Sequence, residues 1–304
     1  MLKYPSDIVE VRYSNIYNEK VKNDIVIASI SDVHISDDIS LRELDFIIET
    51  IMSQNPNYIC ILGDLLDSPE IIYDYYNKYK CIYFLKQIAK IAPVYITIGN
   101  HDYIHYIDNK YMEDYNTIFW YFVNELENVN VLKDRIIYND DITMMGYMGK
   151  YNIYHQRNLS CFYNDLSKRE NLYKINTNTP SVALIHSPEP LKYLNNINLL
   201  KSYDLIICGH YHNGCVPSFL NKIIPKEKGL VTPSKEIFPK NARGIKLLSS
   251  GTYLINNGGW TKMAKNTPNY LHFLDKICNR NIDVTTITNN KENEKIYTKK
   301  ISKN

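Results

Sequence analysis

The chain has 304 residues, 44% hydrophobic and 22% charged, which places it among ordinary globular proteins and excludes wholesale disorder or a collagen-like repeat. Lys and Arg number 35 against 33 Asp and Glu, a net charge of +2, which argues against a chain built mainly to coat nucleic acid while leaving room for a local basic patch. No apolar run approaches the ~18 residues of a membrane span, the first residues lack a secretory leader pattern, and six scattered cysteines (Cys60, Cys81, Cys161, Cys208, Cys215, Cys278) without a C-x-x-C pair read as reduced thiols in a cytoplasmic protein.

Asp24 to Ile30 is a nearly continuous apolar run, the pattern of a strand buried on both faces. Leu41, Leu44, Ile47, Ile48 and Ile51 recur at helical spacing behind a Ser40 and Glu43 capping box. Tyr58 to Leu62 is a second strand. Ser68 and Pro69 read as the N-cap and first position of a helix that runs to about Ile91. Val94 to Ile98 is a third strand, and this alternation implies βαβ crossovers and a largely parallel sheet. Next come a helix near Thr117 to Leu126 and short strands near Val129–Leu132 and Ile142–Met145. Residues 147–180 are polar and read as loop with some helix. Order resumes with strand Val182–Ile185, a helix around Leu191–Leu200 and strand Leu205–Cys208. A long loop leads to strands near Ile245–Leu248 and Tyr253–Asn256. Residues 1–290 read as a single domain and 291–304 as a charged, frayed tail. The 27 tyrosines are spread over most of the chain and read as a coding bias rather than as stacking platforms.

Polar residues of metal-ligating type gather where each apolar run stops: Asp32 and His34, then Asp64 and Asp67, then Asn100, His101 and Asp102, then His186, then His210 and His212. In an open α/β sheet, ligands bind at the carboxyl ends of the strands, so these segments converge on one crevice. Alternation along a strand places Asp32 with His34, and His210 with His212, on common faces. Gly63, Gly99 and Gly209 stand where the backbone must turn sharply. Carboxylate, imidazole and amide oxygen without thiolate suit divalent Mn, Fe, Zn or Mg. Seven candidate ligands exceed one tetrahedral shell, so two ions are expected. His105, His155 and His272 have no such context and read as surface or loop residues.

The ordered set D-x-H, GD-x-x-D, GNHD, a lone His and GH-x-H resembles the calcineurin-like metallophosphoesterase superfamily. The resemblance covers about residues 24–260. The segments IVEVRYS and GTYLINNGG make it similar to a bacterial branch of small single-domain phosphoesterases. It implies an α/β fold, a four-layer αββα sandwich of mixed sheets with the site at strand C-terminal ends. It implies one metal on Asp32, His34, Asp64 and His212, and a second on Asp64, Asn100, His186 and His210, with Asp64 and a hydroxide bridging them. His101 would be the catalytic acid or a cationic stabiliser, and Asp67 would orient it, a nearby carboxylate favouring the protonated form. Helix entry is the alternative role for Asp67, and Asp102 shapes the loop. Asp67 is followed by Ser68 and not by Arg, and the motif is GNHD rather than GNHE, which disfavours a phosphoprotein substrate.

The implied reaction is hydrolysis of a phosphomonoester or phosphodiester by in-line attack of the metal-bridging hydroxide. The expected substrate is a small or lipid-linked phosphate ester, with no nucleic acid favoured, and peripheral membrane association stays open. The loop from Lys222 to Lys246 carries Lys222, Lys226, Lys228, Lys235, Lys240, Arg243 and Lys246 against Glu227 and Glu236, and could draw in an anion or be merely solvated. Trp260 could flank the pocket or pack in the core. A nuclease with the same metal chemistry and a non-catalytic scaffold are the competing readings. The first would need extended basic surface, and the second would be expected to lose ligands.

Overall fold

The structure, a computed structural model, describes residues 8–107, 110–113, 117–149, 175, 177–188, 203–225, 227–232, 236–261, 263, 269–293 and 295–302. In chain order the elements are β1 (Ile8–Tyr17), β2 (Ile25–Ile30), α1 (Leu41–Met52), β3 (Tyr58–Leu62), α2 (Tyr75–Ala89), β4 (Val94–Thr97), the hairpin β5 (Ile104–Ile107) and β6 (Lys110–Glu113), and α3 (Thr117–Asn124). They continue with β7 (Val129–Val131), β8 (Arg135–Tyr138), β9 (Thr143–Tyr147), β10 (Ser181–Ile185), β11 (Leu205–Cys208), β12 (Gly244–Leu247), β13 (Tyr253–Asn256), β14 (Arg280–Thr288) and β15 (Ile296–Ser302).

Two mixed sheets carry the fold, with strand orders β15-β1-β14-β2-β3-β4-β7 and β12-β13-β11-β10-β9-β8. Strands β2, β3, β4 and β7 run parallel, as the alternation of strands and helices predicts. So do β9, β10, β11 and β13 in the second sheet. Both sheets become mixed at their flanks: β14 is antiparallel to β2, and β8 and β12 are antiparallel edges.

Side-chain alternation builds the layers. Ile27, Cys60, Leu62 and Tyr95 of the first sheet join Val182, Leu184, Leu205 and Ile207 of the second in one buried cluster between the sheets. The opposite faces, Ala28, Ile30, Ile59, Ile61, Val94 and Ile96, pack under Leu44, Ile47 and Ile51 of α1, Phe84, Leu85 and Ile88 of α2, and Trp120 and Val123 of α3. The outer face of the second sheet, with Ala183, Ile185, Ile206 and Cys208, is buried as well. The helix expected near Leu191–Leu200, the loop expected over 147–180 for the most part, and His155 lie outside the described residues. Cys60, Cys81 and Cys208 are free thiols inside the core.

Two expectations change. The helix read from Ser68 and Pro69 splits into a 3-10 turn, Pro69–Tyr73, and α2. Ser68 makes no side-chain cap, whereas Asp74, in extended backbone, accepts 2.7 Å from the Asn77 N–H and starts the helix. Asp and Ser are equally good caps, and the extended Asp74 backbone decided between them. The charged tail expected to fray instead forms β15, antiparallel to β1 from Ile8–Ser302 to Ser14–Ile296. Its side chains are mostly exposed, so the ladder is held by backbone hydrogen bonds at an edge and leaves no apolar pattern to read.

Candidate metal centre

All five strand-end motifs follow parallel strands and face one another where the two sheets meet. Asp32 and His34 follow β2, Asp64 and Asp67 follow β3, Asn100 to Asp102 follow β4, His186 follows β10, and His210 and His212 follow β11. They do not lie within the strands. Asp32, His34, Asp64, His210 and His212 have φ of 52°, 52°, 50°, 67° and 46°, left-handed backbone that side chains other than glycine seldom adopt. Such conformations cost on the order of 1–3 kcal/mol each and persist where the surroundings enforce them. Strand alternation therefore does not set the side-chain directions; these turns do. Asp32 and His34 still fall in one group, but His210 and His212 part company. The groups whose ligand atoms lie within 4.8 Å of one another are Asp32–His34–His212, Asp64–His186–His210 and His34–Asp64–His101.

The distances are short. His186 Nε2 stands 3.1 Å from Asp64 Oδ2 and 3.2 Å from Asn100 Oδ1. His34 Nε2 is 3.9 Å from Asp64 Oδ2, and His212 Nε2 is 3.7 Å from Asp32 Oδ1. Asp64 therefore sits between the two trios. Among the described residues, Asp32 Oδ1 and His34 Nε2 are buried without a hydrogen-bond partner. Buried polar atoms are normally satisfied, and orphaned acceptors converging in one place fit a divalent cation. The donor set of carboxylates, imidazoles and an amide oxygen fits as well.

Main-chain carbonyls fix the rings. His186 Nδ1 bonds Leu62 O at 2.6 Å, and His212 Nδ1 bonds Thr261 O at 2.8 Å, each leaving Nε2 toward the cluster, the arrangement common around ligating histidines. His101 Nδ1 bonds the backbone carbonyl of Asp67 at 2.7 Å, while its N–H donates to Asp64 Oδ1 at 2.8 Å. Asp67 thus meets His101 through its carbonyl, and its carboxylate Oδ1 lies 3.5 Å from His34 Nδ1. Asp102 does more than shape one loop. Its buried carboxylate accepts from the N–H groups of Asp64 (2.9 Å), Leu66 (3.0 Å) and Gly99 (2.8 Å), tying the second and third motifs together.

The charges are strongly coupled. Burial alone would lower the pKa of His34, but Asp67, Asp64 and Asp32 outweigh it and push it up to about 9. His186, equally buried, is pushed up to about 9, chiefly by Asp64. Burial works against Asp64 too, yet His186, His101 and His34 hold its carboxyl well below the usual range. Burial and the Asp64 charge push Asp102 up to about 7, against the Leu66 and Gly99 N–H groups. Asp32 and Asp64 hold protons on both histidines and Asp67 on His34, and a divalent ion competes for the same places.

The remaining candidates resolve as follows. Trp260 is fully buried, and its Nε1 donates to Glu43 Oε1 at 2.8 Å, so it packs in the core. Glu43 is thereby engaged away from its cap position, where Ser40 Oγ accepts from the Glu43 N–H. In the basic loop, Arg243 is buried and anchors the loop to itself through Asn221 Oδ1 and the carbonyls of Ile224 and Pro225. Lys226 and Lys235 lie outside the described residues. His272 stands 3.9 Å from Asp275 and belongs to none of the trios, and His105 is on β5. The backbone carbonyls of Leu62, Asp67 and Thr261 carry no sequence signature, so the groups that aim the rings could not have been read in advance.

A family model described as calcineurin-like phosphoesterase matches residues 25–214. A Caenorhabditis elegans protein named as a metallophosphoesterase is 30% identical over 204 residues, covering 64% of this chain and 38% of its own length. An uncharacterized metallophosphoesterase of Campylobacter jejuni is 24% identical over 212 residues, 69% of this chain and 50% of its own. The chain thus spans half or less of these relatives. Among solved structures, a dimetal phosphatase from Danio rerio aligns with a TM-score of 0.44 and 11% identity over 79% of this chain and 88% of its own. No helix among the described residues is long and apolar enough to cross a membrane.

Proposed function

The chain belongs to the calcineurin-like phosphoesterase family, and on that premise we propose that it hydrolyses a phosphomonoester or phosphodiester with the help of two divalent ions. The observation that carries the reading is the convergence of the five motifs on one buried cluster whose Asp32 Oδ1 and His34 Nε2 have no hydrogen-bond partner among the described residues. One ion would take Asp32, His34, Asp64 and His212; the other would take Asp64, Asn100, His186 and His210. When bound, such a pair supplies a water acidic enough to act as a nucleophile near neutral pH and offsets charge on the phosphate oxygens.

The chain itself does the positioning. Asp64, set between the trios, is the shared ligand. Leu62 O and Thr261 O hold the rings of His186 and His212 so that Nε2 faces the cluster. His101, fixed at Nδ1 by Asp67 O, keeps Nε2 to give a proton to the leaving oxygen. Asp67 supports both His101, through its carbonyl, and His34, through its carboxylate. The substrate favoured is a small or lipid-linked ester. Metal analysis of the purified protein, with parallel assays on generic mono- and diester substrates, tests the reading. Asp64→Asn and His212→Ala are expected to abolish turnover and lower metal content. Turnover at full rate by ion-free protein, or by Asp64→Asn, would overturn it.

A further inference from the structure

Behind the candidate centre lies a buried polar network that starts on strands outside the matched region 25–214. Arg12 of β1 and Asp283 of β14 face each other in register. Their side chains form a two-point ion pair, Nε to Oδ1 at 2.7 Å and Nη2 to Oδ2 at 2.8 Å, with 12% and 3% of the side chains exposed. A fork-to-fork pair of this kind is directional as well as strong. Arg12 spends its remaining donors on the site side. Nη1 reaches Asn213 Oδ1 at 3.3 Å, immediately after His212, and Nη2 reaches Asn256 O at 3.0 Å.

Asp283 extends the network in the other direction. Its Oδ2 accepts 2.6 Å from Asn257 Nδ2, which also donates to Ser29 O at 3.0 Å. Asn257 Oδ1 accepts from Ser31 Oγ and from the Gly259 N–H, both at 2.9 Å. Ser31 immediately precedes Asp32. The backbone that follows stitches the same two loops together. Trp260 N–H donates to Ser31 O at 3.0 Å and Thr261 N–H to Asp32 O at 2.9 Å, while Thr261 O takes His212 Nδ1. Asp32 and His212, two members of one trio, are therefore braced from a single ion pair. Asp64 and His186 of the other trio are held differently, through Asp102 and Leu62 O, and the two trios touch where the His210 N–H donates to Asp32 Oδ2 at 3.1 Å.

We propose that Arg12 and Asp283, with Asn257 and Asn213 as relays, are positioning residues that set Asp32 and His212 for the ion of their trio and act much less on Asp64 and His186, which Asp102 and Leu62 O hold independently. This rests on the reading that both trios hold divalent ions. Residues that orient metal ligands typically change metal affinity ~10–100-fold when removed. The test is a calorimetric Mn²⁺ titration of the full chain, with thermal unfolding recorded on the same samples.

Arg12→Gln, Asp283→Asn and Asn213→Gly are expected to weaken one of two Mn²⁺ binding events by ~10-fold or more, with the other changed less than ~3-fold. Asn213→Gly keeps the left-handed backbone at φ 58° and removes only the carboxamide, so it reads the contact even if the Arg12 variant fails to fold. Asn213→Asp, which keeps an acceptor for Arg12, is expected to retain both events. Asp204→Asn is the control for a general loss of stability: Asp204 accepts from Ser181 N–H, Ser181 Oγ and Lys20 Nζ at the starts of β10 and β11, the ends opposite those that carry the histidines. Two unchanged events in a folded Asn213→Gly, or equal weakening of both events in step with Asp204→Asn, overturns the proposal alone. Wild-type chain that takes up no Mn²⁺ overturns the two-ion reading and this proposal with it.

Discussion

Gly63 opens the second motif, and replacing it with alanine separates two demands that the fold places on one residue. Its φ is +84°, so any side chain there is strained. An added Cβ would also stand 2.6 Å from Gly99 N, 2.7 Å from Gly99 Cα and 2.7 Å from His186 Nδ1, all closer than carbon tolerates. The left-handed backbone costs alanine roughly 1–2 kcal/mol, and forcing apart packed atoms costs roughly 1–3 kcal/mol. Gly63→Ala is therefore expected to lose about 2–5 kcal/mol, a fall in Tm of roughly 4–20 °C at ~2–4 °C per kcal/mol for a large domain. Because the new methyl crowds the His186 nitrogen that bonds Leu62 O, metal content is expected to fall as well. Gly251 supplies the control, with φ +87° and nothing within 4 Å of an added Cβ. Gly251→Ala should show the backbone cost of roughly 1–2 kcal/mol and full metal content. Thermal unfolding and elemental analysis of both variants decide it. If Gly63→Ala matches Gly251→Ala in both readouts, the close approach of the two motifs is not as described.

Two further outcomes are expected. His101→Ala should keep its metals and lose ~10²–10⁴-fold in rate, most with poor leaving groups; loss of metal from this variant would make His101 a ligand and refute its proposed role. In metal-stripped protein, His34 and His186 have pKa values of about 9, above the ordinary 6.5. A histidine raised on folding contributes stability that is complete below 6.5 and fades as pH climbs through about 9. The Tm of the stripped protein should therefore drop across that interval, whereas a flat or rising curve would contradict the coupling of these rings to Asp64 and Asp67.

Much of the candidate site was legible because its chemistry is written in residue types. Asp32, His34, Asp64, Asn100, His186, His210 and His212 stand where apolar strands stop, and strands that are continuously apolar announce burial on both faces. The central parallel strands were readable as continuous apolar runs, and α1 because a period of 3.6 survives in the sequence. What the sequence could not carry was anything borne by the backbone or by distant partners. The left-handed turns at five candidate ligands could not be read in advance: aspartate and histidine tolerate such a φ better than most residues, but it stays uncommon for them and the surrounding packing decides where it occurs. Leu62, Asp67 and Thr261 act through carbonyls, which every residue possesses. The tail strand β15 has no periodicity because only its ladder is used. The pairing of Arg12 with Asp283, 271 positions apart, exists only once β1 and β14 lie side by side. Local pattern determined which residues could do chemistry and roughly where each strand lay. The tertiary structure decided which of them meet and at what angle, because strand pairing and buried hydrogen bonds are long-range terms that no local window contains.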